Sequence, residues 1–171
     1  MNKAPIKNQK KPGDCRVLIS GSFDPITVGH YDVIRRASEA YREVIVCVFV
    51  NPDKTPMFSL DERRALLETA CAGLPNVRVD SDTGMLADYV KRNAIDVVVK
   101  GYRNVSDIRY ELGMAYINEQ NAPGSRTVLL PSDQRYDGVS STLVKEIILS
   151  GGDFSPLVPE GCEKAIKYFL K

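Results

Sequence analysis

The chain has 171 residues, 43% of them hydrophobic and 26% charged, enough for one domain with a substantial core and too few for two independent cores. Its 23 Lys and Arg against 22 Asp and Glu leave a net charge of +1, so no overall field favours a polyanion such as nucleic acid. Four scattered cysteines without a C-x-x-C pair, and a single histidine, exclude a credible zinc set and point to a reduced, cytoplasmic protein.

Residues 1–14 carry Lys3, Lys7, Lys10 and Lys11 against Asp14 and have no apolar run for a signal peptide or membrane span. They are expected to form a flexible tail, with 15–171 as one domain. RVLIS (16–20) predicts a buried strand, and residues 29–42 a helix with Ile34, Ala37 and Tyr41 on one stripe. VIVCVFV (44–50) is a continuous β-branched run, a buried strand with Cys47 as a core residue. Ser59 and Glu62 form an S-x-x-E capping box that opens a helix to about Ala72. VRV (77–79), DVVVK (96–100) and TVLL (127–130) complete the strands. Helices are expected over 85–92, from about Asp107 to Asn121, over 140–150 with a stop at Gly151 and Gly152, and from Glu160 to Lys171. Strand and helix alternating through short loops predict an α/β fold: a doubly wound, five-stranded parallel sheet of Rossmann-like type with helices on both faces.

Ligands of such sheets bind beyond the carboxyl ends of the strands, near the switch in strand order. That directs attention to four loops. The first, GSFDPITVGH (Gly21 to His30), is neither a P-loop nor G-x-G-x-x-G, but it enters a helix at Gly29-His30. Free N–H groups at a helix start suit a phosphate, and His30 adds a donor; spacing alone equally permits a simple turn with a satisfied histidine. The second loop, NPDKTPMF, carries Lys54 between two prolines. The third carries Lys100 and Arg103 around Gly101, two cations at the sheet edge that Asp107 and Glu111 could instead neutralise. The fourth ends in Ser140, Ser141 and Thr142, three hydroxyls where an N-cap needs one. Two helix N-termini and three cations at one edge suit a polyphosphate, with catalysis by positioning and charge stabilisation.

G-S-F-D-P-I-T-x-G-H resembles the (H/T)-x-G-H signature of the nucleotidylyltransferase superfamily. Joined with K-x-P-M-F, K-G-Y-R-x-x-x-D-x-x-Y-E and V-S-S-T-L-V-K-E, it is similar to the bacterial phosphopantetheine adenylyltransferase family from about Arg16 onward. The resemblance implies adenylyl transfer from ATP to 4′-phosphopantetheine in coenzyme A synthesis, by direct in-line attack with Mg²⁺ assisting and no covalent intermediate. It implies His30 as the transition-state stabiliser, with Lys54 and Lys100 holding the acceptor phosphate. Ser22 would touch both ATP and acceptor, Phe23 the ATP, and Leu86 the pantetheine arm. Gly101, Tyr102, Arg103 and Glu111 match nucleotide-binding positions, as do Tyr136, Asp137, Gly138, Val139, Ser140, Ser141 and Thr142 around the ATP phosphates. The resemblance also implies a homohexamer, while the residues themselves offer no acidic motif for a tight metal cage and lead to the expectation of no nucleic-acid or membrane partner.

Three features depart from the family pattern. Lys100 stands where arginine is common, replacing a planar fork with a point charge. Gly138 occupies a place often aromatic, in a loop one residue longer, and the N-terminal segment has no counterpart. The rival readings are a nicotinate mononucleotide adenylyltransferase, against which K-G-Y-R and Thr27 argue, and a nucleotide sensor, which would need no acceptor cations.

Overall fold

The computed structural model describes residues 11–51 and 55–171. Five strands, β1 (Arg16–Gly21), β2 (Glu43–Phe49), β3 (Val77–Asp82), β4 (Val97–Tyr102) and β5 (Arg126–Pro131), form one parallel sheet in the order β3-β2-β1-β4-β5. Between and after them run α1 (Val28–Ala40), α2 (Leu60–Cys71), α3 (Leu86–Arg92), α4 (Val105–Asn121), α5 (Ser141–Leu149) and α6 (Cys162–Phe169). The expected fold class is the observed one.

The strand period of two divides each strand between two cores. Val17 and Ile19 of β1, Val44, Val46 and Val48 of β2 and Val99 of β4 face α1, α2 and α6, meeting Ile34, Leu66, Leu67 and Ile166. Leu18, Ile45, Cys47 and Val98 face the other side, toward Ala87, Tyr89 and Val90 of α3 and Ala122 beyond α4. That second core is smaller, because α4 buries only Asn118 along its 17 residues. The helix therefore stands off the sheet's upper edge and leaves a cleft there.

Boundaries differ from the sequence reading where polar residues hide regular structure. β3 continues through Asp80, Ser81 and Asp82, which pair with Cys47, Val48 and Phe49 of β2. Its carboxylates are held by neighbours: Tyr89 donates to Asp80 at 2.6 Å, and Arg92 donates to Asp82. Asn104 caps α4 by accepting from the Asp107 N–H, so the helix begins two residues earlier than expected. Of the tail expected over 1–14, residues 1–10 lie outside the described residues. Its last three form a 3₁₀ turn whose Gly13 carbonyl accepts from the Arg42 N–H at 3.1 Å. Ser59 and Glu62 make the expected reciprocal cap of α2.

Leu67 is fully buried beneath the sheet in the larger core. Leu67→Ala is expected to destabilise the protein by about 2–5 kcal/mol, because the packed surroundings collapse only partly around the lost side chain. Urea unfolding checks this through a lower midpoint at an unchanged slope.

Candidate active site

A cleft of about 700 Å³ opens at the carboxyl edge of the sheet, where the connections from β1 and β4 turn to opposite faces. Its wall on one side is the start of α1 and α5; on the other it runs down between α3 and α4.

Local geometry at the start of α1 sets the chemistry of His30. Thr27 is the N-cap, and His30 occupies the third helical position of a capping box. The Thr27 N–H donates to Nδ1 of His30 at 3.1 Å, and the Thr27 hydroxyl lies 3.0 Å from the same nitrogen. A backbone N–H cannot accept, so Nδ1 carries no proton and the neutral ring holds its hydrogen on Nε2. Burial, and secondarily the nearby Arg103 charge, push the imidazole pKa down to about 4. His30 therefore enters neutral chemistry as an Nε2–H donor beside the helix N-terminus, whose first N–H groups have no partner within the helix. Phe23 holds the ring from behind, edge-on with centroids 5.3 Å apart. Phe23 is itself buried, in the left-handed region at φ 44°, and its ring would lie 3.0 Å from a Cβ on Gly21. Only glycine at 21 leaves that space.

Lys100 and Arg103 are both paired with carboxylates. Lys100 Nζ donates to the Ser20 carbonyl at 3.3 Å and stands 3.8 Å from the Glu111 carboxylate, each side chain 18% exposed. Burial lowers the Lys100 pKa and Glu111 opposes that shift. Arg103 bonds Asp107 through Nε at 3.3 Å and reaches the Val139 carbonyl with Nη1 at 3.3 Å, tying the third loop to the fourth. Gly101 lets β4 pass close to α1, since a Cβ there would meet Val33 at 3.0 Å. These two cations are thus neutralised locally and also face the cleft.

The three hydroxyls divide their work. Ser140 caps α5 through the Leu143 N–H at 3.0 Å, Ser141 donates to the Pro25 carbonyl at 2.8 Å, and Thr142 is exposed on the cleft. Ser22, Val139 and Leu86 also line the cleft. Tyr102, Tyr136, Asp137 and Gly138 do not line it; the Tyr102 carbonyl accepts from the Ser132 N–H, and Tyr136 packs beside Gly29. Lys54 lies outside the described residues.

Two polar groups were not anticipated. Asn118 of α4 is only 7% exposed and lines the cleft. The buried Ser20 hydroxyl has no hydrogen-bond partner among the described residues. Glu111, Met114, Asn118 and Asn121 share one helical stripe, and that mixed spacing is the signal in the sequence. Among the described residues, no cluster of three His, Cys, Asp or Glu could hold a metal ion.

A doubly wound sheet with a neutral histidine, a helix N-terminus and two cations at its switch point defines a nucleotide-binding α/β domain. The cytidylyltransferase-like family profile matches residues 18–147. A phosphopantetheine adenylyltransferase from Alkaliphilus metalliredigens (strain QYMF) is 49% identical over 143 residues, covering 84% of this chain and 91% of the relative. The fold is shared by a Vibrio parahaemolyticus protein described as a nicotinate-nucleotide adenylyltransferase, at a TM-score of 0.68, 16% identity, and 91% and 93% coverage of the two chains. The chain belongs to the cytidylyltransferase-like family and, within it, to the phosphopantetheine adenylyltransferases, nucleotidyltransferases of coenzyme A biosynthesis.

Because the chain has one histidine, its imidazole resonance reports the site without assignment. In the ligand-free protein we expect the Nε2–H tautomer and titration near pH 4, against 6.5 for an unperturbed ring. ATP binding should raise that pKa, since phosphate charge favours the imidazolium. The unfolded chain takes up this proton near pH 6.5 and the folded chain does not, so stability should fall as pH drops from 6.5 toward 4.

Proposed function

We propose that the two lobes of the cleft hold the two substrates of one displacement: ATP under the N-termini of α1 and α5, and 4′-phosphopantetheine between α3 and α4. The observation that carries this reading is that the lobes meet where His30 and Lys100 face one cavity. An oxygen of the acceptor phosphate attacks the α-phosphorus of ATP in line. The bond to the bridging oxygen breaks as the new one forms, and pyrophosphate leaves with the electron pair. Negative charge grows on the phosphoryl oxygens, and the Nε2–H of His30 donates to them without itself changing protonation state. Lys100, with Lys54, attracts the acceptor phosphate; Arg103 and Thr142 face the triphosphate side.

The acceptor arm fits the second lobe by its chemistry. Pantetheine alternates methylene segments with two amides. Phe49, Leu86, Met114 and Ile117 supply apolar wall, and Asn118 supplies a buried amide that can donate and accept. The donor set also bears on Mg²⁺. Asp107 and Glu111 face the cleft but are engaged by Arg103 and Lys100, so the ion fits as a companion of the triphosphate, with hydroxyls and water around it. When bound it would offset charge between the phosphates.

The protein is expected to work as a homo-oligomer in the cytoplasm. Leu112 and Tyr116 of α4 are exposed apolar groups on a helix with a single buried residue, which supports a second copy covering that face. Free Cys15, Cys47, Cys71 and Cys162 agree with a reducing compartment, and among the described residues no helix is long and apolar enough to cross a membrane.

Pyrophosphate release from ATP and Mg²⁺ should require 4′-phosphopantetheine and stop with a chelator; turnover only with nicotinate mononucleotide would overturn the reading. His30→Ala should bind ATP within a few-fold of wild type yet lose roughly 10²–10³ in kcat, as removal of a transition-state donor does. Asn118→Ala should raise the acceptor KM by about tenfold, the cost of one buried hydrogen bond, while the ATP KM stays unchanged. Steady-state kinetics with each substrate varied separates the two effects.

A further inference from the structure

Asp24 lies outside the cleft and is 6% exposed, yet four hydrogen bonds from two other segments converge on its carboxylate. The Met57 N–H reaches both oxygens at 3.1 and 3.0 Å, the Phe58 N–H reaches Oδ1 at 3.0 Å, and Lys145 Nζ reaches Oδ2 at 3.0 Å. Met57 and Phe58 close the loop that carries Lys54. Lys145 stands on α5, whose first turn presents Thr142 to the cleft. Asp24 itself is two residues from Ser22 and three from the Thr27 cap. Two further ties run beside it: Ser141 to the Pro25 carbonyl, and buried Arg63 to the Ser22 carbonyl at 3.0 Å.

Three of the four cleft loops thus share one buried ionic anchor. A pair with a buried carboxylate and a half-buried lysine contributes little net stability compared with apolar residues of the same volume, because the cost of taking Asp24 out of water offsets the attraction. What such a pair supplies is a fixed geometry. We infer that Asp24, through Lys145 and the main chain of Met57 and Phe58, is the positioning residue that sets the spacing between the acceptor-side loop and the nucleotide-side helix. Neither Asp24 nor Lys145 lines the cleft, so both act through the groups they hold.

The inference rests on the adenylyl-transfer reading, and wild-type turnover with ATP and 4′-phosphopantetheine, measured in the same assay, tests that reading separately. Lys145→Met removes one bond and leaves the two N–H donors on Asp24. It should lower kcat and raise the acceptor KM, each on the order of tenfold, as a small misplacement of reacting groups does, with the ATP Kd by calorimetry changed less than about twofold. Lys145→Arg should restore most of the loss. Asp24→Asn should lose more, and the double variant Asp24→Asn with Lys145→Met should be no worse than Asp24→Asn alone, since the lysine acts through the carboxylate. Additive losses would overturn the inference. So would a weakened ATP Kd in Lys145→Met, which would make the lysine a direct phosphate ligand, or a lowered Tm with unchanged kinetic constants, which would make the pair merely structural. If Asp24→Asn does not fold, the Lys145→Met and Lys145→Arg pair decides on the same criteria.

Discussion

The hydrogen bond from the Thr27 main chain to Nδ1 of His30 is the constraint on which the proposed reacting centre depends. An N–H at a helix start must find an acceptor, and at this helix the acceptor is a ring nitrogen in place of the more common carboxylate. One bond therefore does three things. It closes the helix cap, it selects the tautomer, and it directs the other nitrogen outward with its proton. Burial completes the arrangement by keeping the ring neutral, so the donor is a fixed dipole whose hydrogen stays in place. A charged histidine would bind ground-state phosphates more strongly too. In the proposed reaction, a neutral donor beside the phosphoryl oxygens would gain most as charge grows on them, which is the difference that accelerates a reaction.

The same economy governs the cations. Lys100 is largely buried beside Glu111, and the exposed Arg103 pairs with Asp107, so each of these cations has a local counter-charge. The pairs are not of equal tightness. Arg103 is bound to Asp107 through side chain and main chain, whereas Lys100 is 3.8 Å from Glu111 and carries a single bond to a carbonyl. Lysine at 100 has three rotatable donors on a flexible stem and can turn toward a phosphate without dismantling a fork. Arg103 is by contrast a fixed part of the wall, and its link to the Val139 carbonyl joins the loops after β4 and β5.

How much of this the amino-acid order discloses depends on whether the signal is local. Apolar runs at β1, β2 and β4 and the Ser59-Glu62 cap depend on neighbours a few residues away, and they appear in the structure as read. The second half of β3 does not, because Asp80, Ser81 and Asp82 become a strand only by pairing with β2 some 33 residues earlier. At the site, the four loops and the pairing of Lys100 and Arg103 with their carboxylates were legible from strand order and spacing. Asn118 was hidden by its surroundings: an asparagine in a helix reads as solvated surface until the stand-off of α4 turns that stripe toward a cleft. Asp24 was hidden for a different reason. An Asp-Pro pair announces a turn, and nothing nearby in the chain says that partners at 57, 58 and 145 will converge on the carboxylate.

The two half-sites differ in how they are built, and the sheet explains why. On the α1 side the strands pack against two helices and a third behind them, so groups there are held by a full core and by caps. On the α3 and α4 side the core ends early, and the space left over is the lobe proposed for the acceptor. A triphosphate is recognised through many directional bonds to charged oxygens and needs the rigid side. A long, mostly apolar arm with two amides needs length, wall area and few polar contacts, which an incompletely packed helix supplies. On the proposed reading the reaction falls at the boundary between the two, where β1 and β4 part. His30, in the first turn of the helix that follows β1, and Lys100, near the end of β4, both face that boundary.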